Sequence, residues 1–369
     1  MDALFAVDEP EANPHLLVAA REALGLTQSQ LASRLSRLEG NRSKISQGYV
    51  SRVESGALTV TGERLALFAE ALESTADLLA SEAKLWSLGE GCLYHRNRKS
   101  TKASTLRVLH ARINLLRLYL HRIAGLAGRS LPEFTWEPVR VGGMDGPDDA
   151  ARAVREALHL GEGAVESVTE IAESMGALVI PMSLGGREVD ATSLHPHGEP
   201  PLLVINTDAP TDRQRFTLAH EIGHIACAPD AGEDPEEMAQ AFAAELLVPA
   251  HQVRADLKAM PLTPARLLQL KATWRVSAAA LLHRAVDLGA ITESRYRAIN
   301  AQISALGWRT GEPEPLPTER ATVVPGLVRD AVAKSGGVKA AAEAAGTTPA
   351  NFSALFDIEG MDTASPARD

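Results

Sequence analysis

The run RFTLAHEIGHIACAP places His220, Glu221 and His224 in an HExxH arrangement inside a segment with helical periodicity. Two histidines four residues apart lie on one face of a helix, where both imidazoles can reach one tetrahedral zinc ion. The intervening Glu221 can then reach a water on that ion, which is the arrangement of a hydrolytic metal site. Around these polar groups, Phe216, Leu218, Ala219, Ile222 and Ile225 form an apolar stripe, so the helix must be buried, and Thr211 and Asp212 can cap its start. The next segment, EEMAQAFAAELLVP, opens on Glu236 and Glu237, is amphipathic, and stops before Pro249. These constraints require a core built around two adjacent helices.

A chain of 369 residues holds two or three domains, each able to bury its own core, and its 45 % hydrophobic and 23 % charged content is that of a globular protein. No run approaches the length of a membrane span, and the acidic start MDALFAVDEPE lacks the basic and apolar regions of a secretion signal. A cytoplasmic protein with no membrane partner is expected. Two cysteines, Cys92 and Cys227, are too few for a disulfide framework, and Cys227 reads as a packing residue. The net charge of −10 argues against a protein that coats nucleic acid, although a local patch can still bind it.

From Asn13 to Leu79 the chain reads as short helices. In LGLTQSQLASRL, Thr27 is a natural N-cap, Gln28 follows it, and Leu31 and Leu35 face inward. In ISQGYVSRVESG, Ser46 caps a helix that buries Val50 and Val53, leaving Gln47, Tyr49, Ser51 and Arg52 pointing outward. Amide and guanidinium groups read base edges, and hydroxyls and a helix N-terminus hold phosphates, so these residues suit the major groove of double-stranded operator DNA. TQSQLA, SQGYVSRVESG and ERLALFAEAL together resemble the helix-turn-helix of the Xre, or lambda-repressor-like, family. The intervening SRLEGNRSK is longer than a usual turn in that family, which leaves the placement of Gln28 against Gln47 open.

Between Gly91 and Pro132 there are nine lysines or arginines and no acid. Leu106, Leu109, Ile113, Leu116, Leu120 and Ile123 recur there at helical spacing, predicting a helix with one apolar and one cationic face. Such a helix can pack on the metal-binding domain, touch phosphates or form a dimer seam. WEPVRVGGMDGPDD reads as a linker, Ala150 to Leu160 and Ala164 to Met175 as helices, and ALVIPMSL, EVDATSL and PLLVINT as strands of a small sheet. An extended peptide can add to such a sheet's edge, but the sequence does not tell which strand is the free one.

RFTLAHEIGH followed by EEMAQAFAAELLVP is similar to the ImmA/IrrE family of zinc metallopeptidases, and WRVSAAALLHRAVDLGAI and ISALGWRTGEP resemble that family's C-terminal half. The resemblance implies a zincin-like fold with Zn²⁺ held by His220, His224 and Glu236, and Glu221 as general base. Glu237 and Glu245 compete with Glu236 for the third place. Gln240, one turn later, supports the ligand where the family often has Asn or Asp. A supporting oxyanion donor remains open among His283, Arg284 and Tyr296. The resemblance also implies a protein substrate, either an Xre-type repressor or the chain itself, cut after a stress signal.

The expected architecture is mainly α with a small β-sheet. It comprises a helix-turn-helix domain over 1–83, a basic helical connector and linker over 84–147, a zincin-like α+β domain over 148–260, a helical C-terminal region over 261–357, and a disordered tail over 358–369. VKAAAEAAGTTPANFSALF mimics a second helix-turn-helix but carries no base on its second helix, so it reads as a packing cap. The expected function is a homodimeric DNA-binding regulator with a zinc endopeptidase domain. The alternatives are a regulator whose peptidase-like domain is a silent metal or ligand sensor, and a peptidase whose N-terminal module binds protein.

Overall fold

The computed structural model describes residues 9–40, 44–86, 95–97, 102–142, 146–186 and 188–358. Cys92, the middle of the SRLEGNRSK loop and the expected tail beyond Ile358 lie outside them. The fold is mainly α with small sheets and divides into two compact units. No described helix is long and apolar enough to cross a membrane.

The first unit begins with α1 (Pro14–Ala23), α2 (Gln28–Leu38), α3 (Gln47–Glu54), α4 (Gly62–Ala71) and α5 (Ala76–Leu79). Thr27 closes a capping box on α2: its side chain accepts from the Gln30 amide, and the Gln30 side chain accepts from the Thr27 amide. Leu16, Leu17, Leu31, Leu35, Val50, Leu65, Phe68, Leu78 and Leu79 fill the core between these helices. The basic segment forms α6 (Ala103–Leu126), which packs on α1 and belongs to this unit. Its expected apolar face is largely buried, and three of its arginines bond within the chain, while Lys102 and Arg107 are exposed. Arg112 Nε donates to the Ala23 carbonyl at the end of α1 (2.9 Å), Arg117 donates to the Lys84 carbonyl, and Arg122 pairs with Asp77 at 2.6 Å.

The second unit contains a four-stranded sheet in the order β1-β4-β5-β3, where β1 is His95–Asn97, β3 Leu178–Met182, β4 Val189–Leu194 and β5 Leu202–Asn206. β3 runs parallel to β5 with Leu178 opposite Leu202, while β4 runs antiparallel to β5 with Thr192 opposite Val204. Strand β2 (Val139–Val141) pairs in parallel with β6 (Cys227–Pro229). The helices are α7 (Pro147–Ala157), α8 (Val168–Ser174), α9 (Thr211–Ala226), α10 (Pro235–Leu247), α11 (Ala250–Ala259), α12 (Pro264–Trp274), α13 (Ala278–Asp287) and α14 (Glu293–Ala305). α8 starts later than periodicity predicts, because the Ser167 side chain caps it by accepting from the Glu170 amide.

α9 packs against β4, β5 and α10, and buried ions fix its start. Lys271, 1 % exposed, donates to Asp212 (2.7 Å) and Glu312 (3.0 Å), while Arg215 pairs with Glu319 and donates to the carbonyls of Val165 and Arg275. α10 is pinned at its far end, where Arg155 donates to the Leu246 carbonyl (2.6 Å) and Arg284 Nε to that of Val248 (3.0 Å). Each buried cation meets an acid or a carbonyl, the condition under which burial of charge is tolerated.

After Thr322 the chain rejoins the first unit as α15 (Val323–Ser335), α16 (Val338–Ala345) and α17 (Pro349–Phe356). α15 and α16 pack on α6, and Ser74 forms a bridge with Thr347. The segment that mimics a second helix-turn-helix is thus used for packing.

Candidate functional site

His220 and His224 are one turn apart on α9, 3 % and 7 % exposed, with their Nε2 atoms 3.1 Å apart. Glu236, in the first turn of α10, reaches both: Oε2 lies 3.2 Å from His220 Nε2 and Oε1 lies 3.4 Å from His224 Nε2. Asp234 caps α10 by accepting from the Glu236 amide (2.9 Å), which sets this residue at the mouth of the helix. Each imidazole nitrogen meets a different oxygen of the one carboxylate, and one ligand atom from each of the three residues lies within 4.8 Å of the other two. Ligands about 2 Å from a tetrahedral zinc ion stand about 3.3 Å apart, so two imidazole nitrogens 3.1 Å apart with one carboxylate in reach of both fit zinc in spacing and in chemistry. The hydrogen bonds from His220 and then His224 hold the Glu236 carboxyl well below the usual carboxylate range, in the ionised form a metal requires.

The competitors for the third position have other surroundings. Glu237 is exposed and outside the cluster. Glu245 is fully buried, pairs with Arg284 and with Arg152 (3.5 Å), and accepts from the Ala250 amide (3.1 Å) at the start of α11. Gln240 lies half-buried one turn beyond Glu236. Arg284 is committed to Glu245 and Val248, while His283 is exposed, pairs with Asp287 (2.9 Å) and meets Tyr296 edge to face at 6.2 Å. Cys227 ends α9, buried, and lies outside the His220–His224–Glu236 cluster; burial pushes its thiol up to about 12.

Glu221 is fully buried, and Ser193 Oγ of β4 donates to its Oε2 at 2.6 Å. His195, just past β4, is half-buried with its Nε2 shielded from solvent; burial and the nearby His224 lower its pKa to about 3. Ser193 and His195 escaped the sequence reading because neither belongs to a motif. The available signal was the polar character of EVDATSL, a strand buried along its whole length.

In the first unit, Ser46 caps α3 by accepting from the Tyr49 amide (3.2 Å). Gln47 Nε2 donates to Gln28 Oε1 (2.6 Å), and Gln28 Nε2 donates to Glu54 Oε2 (2.9 Å), whose carboxylate Arg21 also clamps, from Nε to Oε1 at 2.6 Å and from Nη2 to Oε2 at 3.1 Å. The two glutamines that the long loop left unplaced are therefore adjacent. Arg52 and Gln47 are exposed and Ser51 is half-buried. Tyr49 departs from the expected outward position: it is half-buried, 6.4 Å from the Phe68 ring, with the Arg64 guanidinium 5.9 Å from its own ring centre.

Residues 17–79 match the helix-turn-helix family and residues 172–286 match the IrrE N-terminal-like domain family. No curated protein matches the chain. The matched segments contain the Gln28–Gln47 pair and the His220–His224–Glu236 cluster respectively, and the chain is thus a fusion of an Xre-like helix-turn-helix domain with a domain of the ImmA/IrrE metallopeptidase family.

Proposed function

We propose that this protein is a cytoplasmic DNA-binding regulator whose second unit is a zinc-dependent endopeptidase acting on a protein, either its own chain or an Xre-type repressor, in response to a stress signal. The observation that carries the reading is the triangle of His220, His224 and Glu236 with the buried Glu221 beside it. Zinc bound there supplies Lewis acidity toward a peptide carbonyl and acidifies water. Glu221 accepts a proton from the attacking water and returns it to the leaving amine. Ser193 orients that carboxylate through Oε2. Burial of α9 keeps both imidazoles in fixed rotamers, and the ionised Glu236 completes the donor set.

The test is metal content and cleavage on the same samples. The parent chain is expected to hold about one zinc, His220→Ala to lose it, and Glu221→Gln to keep it while cleaving at least about 100-fold more slowly. Full regulatory output from Glu221→Gln would instead make the domain a metal or ligand sensor. On the DNA side, Arg52→Ala is expected to weaken operator binding and to lower the slope of log affinity against log salt by about one. An unchanged slope would remove Arg52 from the phosphate contacts, and no sequence preference in the parent would favour a protein-binding module. DNA recognition is expected to use a homodimer.

A further inference from the structure

β4 is the strand that touches the proposed base, through the Ser193–Glu221 hydrogen bond. It has two edges. β5 occupies one, pairing from Ala191↔Ile205 to Leu194↔Leu202. The other is occupied by β1, antiparallel, with His95 opposite Thr192 and Asn97 opposite Val189. The sheet's remaining outer strand, β3, is separated from β4 by β5. An extended peptide that joins this sheet next to Glu221 therefore has only the β4 edge to pair with, and His95–Asn97 already holds it.

Taking the peptidase reading as its premise, we propose that residues 95–97 are an intrachain plug in the substrate edge of the peptidase, and that a protein substrate docks as an antiparallel strand on β4 only after β1 leaves. The pairing suits a displaceable occupant. β1 is three residues long, and its register against β4 is irregular between His95 and Asn97. Two-stranded pairings of that length have little stability of their own. Occlusion fits better than cleavage of this segment, because a cut between residues 95 and 97 would leave α1 still packed on α6 and the helical unit in one piece. A simple edge cover against aggregation would produce the same pairing, but it requires no affinity of β4 for a free peptide.

The experiment uses the full chain with Glu221→Gln, so that nothing is cut, and the same protein carrying Arg96→Pro, which removes an amide and disfavours a paired strand. The probe is a fluorescein-labelled peptide with the sequence of residues 93–100, followed by anisotropy, with hydrogen exchange of residues 189–194 on the same samples. An edge filled about nine-tenths of the time weakens apparent affinity about tenfold, so the proline variant is expected to bind about tenfold more tightly and to gain protection along β4 on adding peptide. Equal binding by both proteins, or none by a proline variant that melts cooperatively, overturns the proposal. The triple variant His95→Gly, Arg96→Gly and Asn97→Gly weakens the strand without a ring clash and gives the same reading if the proline variant does not fold. Zinc content separates the two ideas. A full complement with no peptide preference overturns the plug and leaves the peptidase reading standing. Absent zinc with the preference retained overturns the peptidase reading and the plug's role with it, leaving β1 as a displaceable cover of β4.

Discussion

Glu236 and Glu245 lie on one helix and have opposite fates: the first is half-exposed beside two imidazoles, and the second is sealed against Arg284 and Arg152. Composition does not separate them; the buried cations around Glu245 do, because a buried carboxylate needs a local counter-charge. Cys227 shows the same dependence on surroundings. Its thiol is raised from 9.0 to about 12 by burial, so almost no thiolate exists at pH 8 in the folded chain. The raised value means the fold favours the neutral thiol. That contribution is fully present below about pH 9 and is lost as pH rises toward 12. In a Cys92→Ser background, Cys227 is expected to resist a thiol reagent at pH 8 until denaturant is added; prompt labelling of the native chain would contradict this.

At the scale of elements, the His220–His224–Glu236 cluster depends on how closely α9 and α10 approach. A side-chain carbon on Gly223 would stand 2.9 Å from Ala239 Cα, 3.1 Å from its carbonyl oxygen and 3.1 Å from Phe242 Cδ1. Two of these neighbours are backbone and cannot rotate away, so Gly223→Ala must push α10 outward. Overpacking of this kind costs about 1–3 kcal/mol. Because Glu236 is one turn before Ala239 on the same helix, zinc affinity is expected to fall about tenfold or more in parallel with a lower melting temperature. Retained affinity with the stability loss would show that α10 moves without carrying its first turn. HExxH periodicity and the polar start of the next segment made both helices legible. The glycine contact was not legible, since a helical glycine has the same spacing whether it faces a helix or solvent.

The whole molecule returns its C-terminal helices to its N-terminal unit. Ser74 Oγ and the Thr75 amide donate to the Gly346 carbonyl (3.1 and 3.3 Å), Arg129 pairs with Asp330 (3.1 Å), and Leu327, Val328 and Phe352 are buried within the unit. A chain ending at Thr322 uncovers the face of α6 that α15 and α16 cover. Its helical unit is expected to melt on the order of 10 °C lower and to bind a hydrophobic dye, while zinc content is unaffected. An unchanged melting profile would make α15–α17 dispensable.

Local information determined the helices, the caps at Thr27 and Ser46 and the approach of His220 to His224, because capping, 3.6-residue periodicity and i, i+4 spacing act within one turn. The expected cap of α9 by Thr211 and Asp212 does not form, since Pro210 takes the N-cap position and Asp212 accepts from Lys271. The strands over 178–206 were legible as short runs between turn residues, two of them apolar and the third, EVDATSL, mixed. The family resemblance had already placed Glu236 with the histidines; tertiary structure alone decided that Glu245 is sealed against Arg284, that Ser193 faces Glu221, and that Gln28 meets Gln47 across the long loop. It also decided that Arg112, Arg117 and Arg122 of the basic helix bond within the chain and that β1 covers β4. Each of these is a contact between residues distant in sequence, set by which surfaces pack together, and no periodicity along the chain encodes a partner on another element.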